Sequence, residues 1–375
     1  MYKAYKFRLY PDKEQIELIN NTFGCGRYLY NYYLNKIKNN EYPNAYSNIK
    51  DCTSTLKYEA LFLQEIDSIV IRKSLFNLDN AYKRFFNKKG GYPKFKSKYN
   101  RNSYNITATY SNYKNKEYCN IELDLINKKI KLPTLNWVNI RGYKKVNKIN
   151  GKIKNITISR EPTGKYYVSV LYDTHDEVPK ANHSTIVGID LGIKKLLTLS
   201  DGITYDNNKY IDKYEKRIKR KQKGSNNYYK CKKELAILYS KLANVRKYYT
   251  HKITKKITNE YDIITCEKLS TKEMITKGTK AKLSKKISDT TFGEVLRQLQ
   301  YKAKFKGKEF YQINTFYSSS QICSRSDSQD HKYKDLKERT YECNKCSLTI
   351  DRDLNASINI MFEGLKLYMK NYARI

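Results

Sequence analysis

Two short apolar runs in a strongly basic chain each close on a lone carboxylate. "TIVGIDLG" carries Ile186, Val187 and Ile189 into Asp190, and "YDIITCEKL" carries Ile263 and Ile264 into Glu267. Apolar runs of this length, rich in β-branched residues, read as buried strands. An ionised side chain does not stay uncompensated inside such a strand, so each acid belongs at a rim. A third acid, Asp353, with Asp351 two residues before it, opens the helical stretch "DLNASINIMFEGLKLYMKNY".

Between these points the chain reads as a second strand and a Ser-Asp-Gly hairpin turn ("KKLLTLSDGITY"), then a lysine-rich helical hairpin over 209–259 broken near Gly224-Ser225. An amphipathic helix stopped by Gly307 ("TFGEVLRQLQYKAKFKG") and a strand ("KEFYQIN") follow. Hairpin, helices, strand, helix, strand, helix suits a mixed sheet covered by helices, and an RNase H-like core is one instance.

Singly, Asp190 reads as a turn residue, Glu267 as a surface residue after a strand, and Asp353 as a helix cap. Together they form a set at element ends, on the rim of an α/β sheet where sites form. Converging acids repel, so something positive must hold them. Oxygen ligands without histidine favour Mg²⁺ or Mn²⁺. Two such ions can clamp the attacking water and the leaving 3′ oxygen of a phosphodiester.

The charge balance names the partner class. Seventy-four Lys and Arg against 37 Asp and Glu leave a formal charge of +37 on 375 residues. An excess of that size works against compaction and suits neutralisation of a polyanion. The 37 tyrosines suit stacking on unpaired bases, although a chain rich in Lys, Asn, Ile and Tyr is also what AT-rich coding produces. Eight cysteines without an apolar leader imply a reducing compartment, the cytoplasm, with Cys25, Cys52, Cys119, Cys231 and Cys266 as scattered thiols. No apolar run approaches the roughly 18 residues of a membrane span.

The N-terminal half is organised differently. Tyr5, Phe7 and Leu9 alternate as in a half-buried strand, and Pro11 stands where a helix can start. A second helical stretch, "SIVIRKSLFNLDNAYKRFFNKK", stops at Gly90-Gly91. In "GYPKFKSKYN" Lys94, Lys96 and Lys98 alternate with Phe95, which reads as an extended basic ribbon facing nucleic acid or as a solvated loop; Arg84 lies just upstream. Residues 118–173 are strand-like, with a Pro-Thr-Gly turn.

Residues 321–357 hold an incomplete metal motif. Cys343 and Cys346 form a C-x-x-C pair, but Cys323 is followed by Ser326 where a second cysteine would stand. Structural zinc sites are nearly always closed, four-ligand tetrahedra. Either His331 or a water completes a zinc site with Cys323, Cys343 and Cys346, or the loop holds no zinc and is shaped by packing alone.

The blocks "KAYKFRLYPDKEQ", "LDNAYKRFF…GYPKFKSK", "ISREPTGKYYVSV", "VGIDLGIKKLLTLSDG", "CEKL" and "TIDRDLNASINI" resemble, in order, those of the TnpB (OrfB) proteins of bacterial insertion sequences, relatives of the type V CRISPR effectors. The resemblance runs from about residue 3 to about residue 362. It implies an α/β-plus-β protein. A wedge β-barrel with a helical recognition insert (about 12–105) would span 1–180 and bind guide RNA and target DNA. An RNase H-like (RuvC) nuclease domain would span 181–375, with a zinc-ribbon-like insertion at 318–350. It further implies an RNA-guided, Mg²⁺-dependent DNA endonuclease whose guide comes from the transposon end and which cuts double-stranded target beside a short motif.

The family's catalytic acids fall on Asp190, Glu267 and Asp353, the last being a choice that spacing alone does not make. The family ribbon reads C-x-x-C-G twice; here one cysteine and both glycines are replaced, by Ser326, Asp327 and Ser347. A nuclease-silent RNA-guided DNA-binding repressor is the alternative. A strand-transfer transposase is disfavoured, because no tyrosine or serine nucleophile motif stands out. Oligomeric state is not legible.

Overall fold

The alternation expected at the N-terminus forms a strand, β1 (Tyr2–Tyr10), which buries Phe7 and Leu9. Asp12 then starts α1 (Lys13–Lys38) through a capping box: its Oδ1 accepts the Gln15 N–H at 2.8 Å and Gln15 Oε1 accepts the Asp12 N–H at 3.2 Å. Pro11 therefore precedes the cap instead of opening the helix. The computed structural model describes residues 1–39, 60–99, 102–113, 116–142, 149–180, 183–207, 222–268, 291–335 and 337–372. They divide into two units, Met1–Glu177 and Val178–Ile375.

In the first unit α1 packs on α2 (Ser68–Phe86), which Asp67 caps at the Ile69 N–H. Seven strands then build one antiparallel sheet: β1, β2 (Asn102–Thr107), β5 (Glu122–Asp124), β6 (Lys129–Leu132), β7 (Asn136–Arg141), β8 (Lys152–Arg160) and β9 (Tyr166–Asp173), in the order β2-β8-β9-β1-β7-β6-β5. A separate hairpin joins β3 (Tyr110–Tyr113) to β4 (Lys116–Cys119). The Pro-Thr-Gly turn between β8 and β9 carries Gly164 at φ +82°, a left-handed conformation that glycine adopts without strain. One core lies between the sheet and the first half of α1 (Phe7, Ile19, Phe23, Val168, Val170); a second joins the helices (Leu29, Leu34, Leu63, Leu75, Leu78).

The second unit is built on a five-stranded mixed sheet: β10 (Ile186–Leu191), β11 (Lys195–Leu199), β12 (Thr204–Asp206), β13 (Ile263–Glu267) and β14 (Glu309–Ile313), ordered β12-β11-β10-β13-β14. β10 and β13 are parallel, as are β13 and β14; β11 and β12 run antiparallel. Side chains alternate across the sheet. Val187, Ile189, Ile264 and Cys266 face a core completed by α3 (Asn226–Glu260) and α4 (Phe292–Phe305) through Ile253, Ile257, Val295 and Leu299. α3 starts directly after Gly224-Ser225, with Ser225 as its cap. Its buried residues begin only at Leu242. The first arm of the expected hairpin falls on 208–221, outside the described residues.

The opposite face, carrying Gly188 and Thr265, belongs to the last helix, α5 (Arg352–Tyr372). A Cβ on Gly188 would overlap the Ser357 carbonyl and the Met361 backbone nitrogen, and one on Gly364 would overlap the Thr265 side chain. Bare backbone on both partners lets helix and sheet touch. Thr265 Oγ1 stitches the layer by donating within 3.0 Å of the Val187 carbonyl, with the Ile360 carbonyl at 3.2 Å. Before α5 comes a small two-stranded ribbon, β15 (Thr340–Glu342) paired with β16 (Thr349–Asp351).

Asp262, just ahead of β13, ties the sheet edge. It accepts from the Ser184 N–H (3.1 Å) and hydroxyl (3.2 Å) and pairs with Lys308 at 3.1 Å. Burial alone would raise its pKa, but these donors outweigh it and hold the carboxyl down at about 2. A depressed carboxyl contributes stability that is complete above its ordinary value and is lost as pH falls towards 2. The melting temperature of the wild type should therefore fall more steeply between pH 4 and pH 2 than that of Asp262→Asn; parallel curves would refute this. Gly188→Ala should cost about 3 kcal/mol, the scale of an overpacked core, read as a drop in denaturation midpoint, with a smaller cost if α5 can shift outward.

Candidate active site

The sheet register brings the two strand acids together. Gly188 pairs with Thr265 and Ile189 with Cys266, so Asp190 and Glu267 are the next neighbours across β10 and β13, on strands about 4.8 Å apart. By alternation both stand on the face that α5 covers. On α5, Ser357 packs over Gly188, and Asp353 lies one turn before Ser357, about 6 Å along the helix. Asp190 lies two residues, about 7 Å, beyond Gly188 along the strand. The two displacements match, and the third acid arrives at the other two.

Electrostatics records the meeting. Burial raises the Asp190 pKa well above its ordinary value, and the charges of Glu267 and Asp353 push it further, while Arg352 opposes them. Burial also raises Glu267, countered by the Ser319 hydroxyl, which donates to Glu267 Oε1 at 2.7 Å. Asp353 has Arg339 Nη1 at 3.8 Å. Among the described residues these acids do not approach as closely as the ribbon thiols, whose ligand atoms lie within 4.8 Å of one another. The carboxylates form an oxygen-only donor set fit for a hard divalent cation.

Asp351, the other half of the acidic pair, has a different job. Its Oδ1 accepts the N–H groups of Asp353 (3.0 Å) and Leu354 (3.1 Å), capping α5. Arg352 between them is buried, with Nη1 donating to the carbonyls of Asp335 (3.0 Å) and Glu338 (3.3 Å). Sequence reading missed Gly188, Gly364, Ser319 and Arg352. It also passed over Asn355 and Asn359, although polar residues one turn apart beside Ala356 and Ile360 were a visible signal.

The ribbon keeps both knuckles. Asp327 N–H donates to the Cys323 carbonyl (3.1 Å) and Ser347 N–H to the Cys343 carbonyl (2.9 Å). Asp327 and Ser347, which replace the glycines, hold φ of +54° and +53°. Cys323 Sγ stands 3.5 Å from Cys346 Sγ. Ser326 Oγ and Ser328 Oγ lie 3.3 and 3.2 Å from Cys343 Sγ, and these two hydroxyls lower the Cys343 thiol to about 5. Ser326 thus stands beside the thiol cluster, together with Ser328. His331 Nδ1 instead meets Gln321 Oε1 at 3.0 Å, and the imidazole is not part of the cluster. Tyr333 and Tyr341 stack inside the ribbon at 4.2 Å, giving it an apolar centre of its own.

The expected basic ribbon of the first unit is extended and fastened to α1: Asn31 Oδ1 accepts the Lys96 N–H at 2.7 Å and Asn31 Nδ2 donates to the Lys96 carbonyl at 2.9 Å. Lys94, Lys96, Lys98 and Arg84 are all exposed, and the Lys96 ammonium lies 3.8 Å over the Tyr30 ring. Exposed Phe85, Phe86, Tyr92 and Phe95 border this segment.

Three family models match the chain in order. The OrfB "Helix-turn-helix domain" covers residues 1–42, the OrfB "Probable transposase" covers 169–277, and the "Cas12f1-like, TNB domain" covers 292–360. A protein named "Putative RNA-guided DNA endonuclease InsQ" from Escherichia coli is 28% identical over 96% of this chain and 92% of its own length. A "Putative RNA-guided DNA endonuclease" from Streptomyces pristinaespiralis is 29% identical over 97% and 89%. "TnpB-like protein L79" of Acanthamoeba polyphaga mimivirus is 25% identical over 58% and 44%. This chain belongs to the TnpB (OrfB) family. A solved Cas12f1–sgRNA–target DNA complex aligns over 96% of the chain and 98% of that protein, at 13% identity and a TM-score of 0.49. Within this TnpB protein, residues 1–39 form a strand and one helix. No described helix is long and apolar enough to cross a membrane.

Ser326→Cys should complete a four-thiol tetrahedron and retain zinc about tenfold more tightly against a competing chelator, as a closed site demands. Unchanged zinc retention would show that Ser326 does not stand at a ligand corner.

Proposed function

We propose that this TnpB protein is an RNA-guided DNA endonuclease of a transposable element. The carrying observation is the parallel register that sets Asp190 beside Glu267 while α5, packed over Gly188, brings Asp353 to them, in a chain of formal charge +37. Converging carboxylates repel one another and oppose stability, whereas a site that holds divalent cations for phosphodiester chemistry gains from them. The relatives' names point the same way.

In this reading Val178–Ile375 is an RNase H-like (RuvC) nuclease unit and Asp190, Glu267 and Asp353 are its catalytic acids. Their oxygens would hold Mg²⁺ or Mn²⁺, which when bound supplies Lewis acidity to the scissile phosphate and the attacking water. The chain's own part is to aim those oxygens: β10 and β13 fix two by register, and the capped start of α5 fixes the third. The first unit acts as wedge and recognition module. Its Arg84, Lys94, Lys96 and Lys98 contact nucleic-acid backbone, while a guide RNA from the transposon end pairs with the double-stranded target beside a short motif. Cys323, Cys343 and Cys346 are proposed as zinc ligands in the ribbon.

Plasmid cleavage by protein purified with its native flanking RNA tests the reading. Asp190→Ala should lose at least about 10³-fold in cutting rate, the scale for removal of a group essential to the chemical step, with guide and target binding retained. Cutting by this variant at the wild-type rate sinks the assignment. Guided binding by the wild type without nicking in Mg²⁺ or Mn²⁺ would select the repressor instead.

A further inference from the structure

The neck of the ribbon is held by buried polar side chains that its apolar packing does not require. Asn355 and Asn359 stand one turn apart on α5, 0% and 2% exposed. Asn355 Nδ2 donates to the Ile322 carbonyl at 2.7 Å, and its Oδ1 accepts the Ser324 N–H at 3.0 Å. Asn359 Nδ2 donates to the same Ile322 carbonyl at 2.6 Å and to the Ser319 carbonyl at 2.8 Å. Ser319, itself buried, turns its hydroxyl onto Glu267 Oε1 at 2.7 Å.

A continuous chain of hydrogen bonds thus runs from the helix that carries Asp353, through residues 319–324, to the strand that carries Glu267. Asn355, Asn359 and Ser319 are buried, so their bonds are costly to leave unmade. Two apolar residues at 355 and 359 would bury as well, yet could not grip a backbone carbonyl from above. None of the links passes through a thiol, so the bracing does not depend on what the ribbon cysteines hold. Carboxylates that bind metal are commonly oriented by an outer hydrogen bond of this kind.

We infer that Ser319 is a positioning residue for Glu267, itself held by Asn359 while Asn355 braces Ile322 and Ser324 beside it, so that the ribbon neck sets how the carboxylate cluster grips a divalent cation. This rests on the nuclease reading above.

The test uses the full chain with its co-purified RNA and two readouts: Mn²⁺ binding by calorimetry, and cleavage across a Mg²⁺ titration. Ser319→Ala should weaken Mn²⁺ binding and raise the half-saturating Mg²⁺ concentration by about tenfold, the scale of losing an outer hydrogen bond to a metal ligand. The rate at saturating Mg²⁺ should change less. Ser319→Thr, which keeps the hydroxyl, should return both to within about threefold of wild type. Should Ser319→Ala fail to fold, Ser319→Cys, of similar size and a weak donor, takes its place with the same expected loss.

Wild-type Mn²⁺ binding by Ser319→Ala overturns the inference, as does a Ser319→Thr variant weakened equally. Asp190→Ala separates the two levels. If it cuts like wild type, the nuclease assignment fails. If it is inactive while Ser319→Ala matches wild type, only the positioning role fails.

Discussion

The second unit depends on a helix lying directly against backbone. Where Gly188 and Gly364 meet their partners there is no room for a single further carbon. That contact fixes the height of α5 above the sheet, and with it the distance from Asp353 to the two strand acids. Everything else about the site follows from periodicity: alternation of two along the strands, a turn of 3.6 along the helix, and a parallel register that sets Asp190 beside Glu267. Ionised Asp190 and Glu267 oppose folding, since burial favours the protonated form of both and the neighbouring acids add repulsion at Asp190. The sheet core behind them, with Val187, Ile189, Ile264 and Leu299 all fully buried, offsets that opposition.

Much of this was legible in the linear chain, for identifiable reasons. Strands β10 and β13 are short, apolar and β-branched, and the acids stand at or near their ends. Nothing local competes with that pattern. Asp353 was legible as an acid at a helix start, but only family likeness separated it from Asp351. The structure supplies the physical difference: Asp351 is spent on capping backbone N–H groups, which leaves Asp353 as the residue facing the sheet. The residues that escaped notice act through contacts distant in sequence. Ser319 meets Glu267 across 52 positions, and Gly188 meets α5 across 169 or more. No window of local sequence contains such pairs. In the first unit the alternation of Lys94, Lys96 and Lys98 was legible as an extended basic segment, but the placement of Lys96 over Tyr30, far back in the sequence, was not.

The ribbon shows how far a motif can drift while its geometry persists. Glycine is the residue expected at a left-handed position, yet Asp327 and Ser347 occupy both knuckles there, at a cost of about 1 kcal/mol each. The ribbon also holds the Tyr333–Tyr341 ring contact and the asparagine bonds to the Ile322 carbonyl, which contribute stability of their own. A hydroxyl in place of a fourth cysteine keeps the polarity of the site while weakening its hold on soft metals.

The long helix α3 has a mechanical consequence. Among the described residues its buried side chains begin only at Leu242, and the sixteen helical residues before it span about 24 Å. A rotation of about 10° near Leu242 would carry the start of the helix through roughly 4 Å. Packing of Ile253 and Ile257 beside the sheet is therefore a fulcrum, and small adjustments there are amplified into ångströms at the far end.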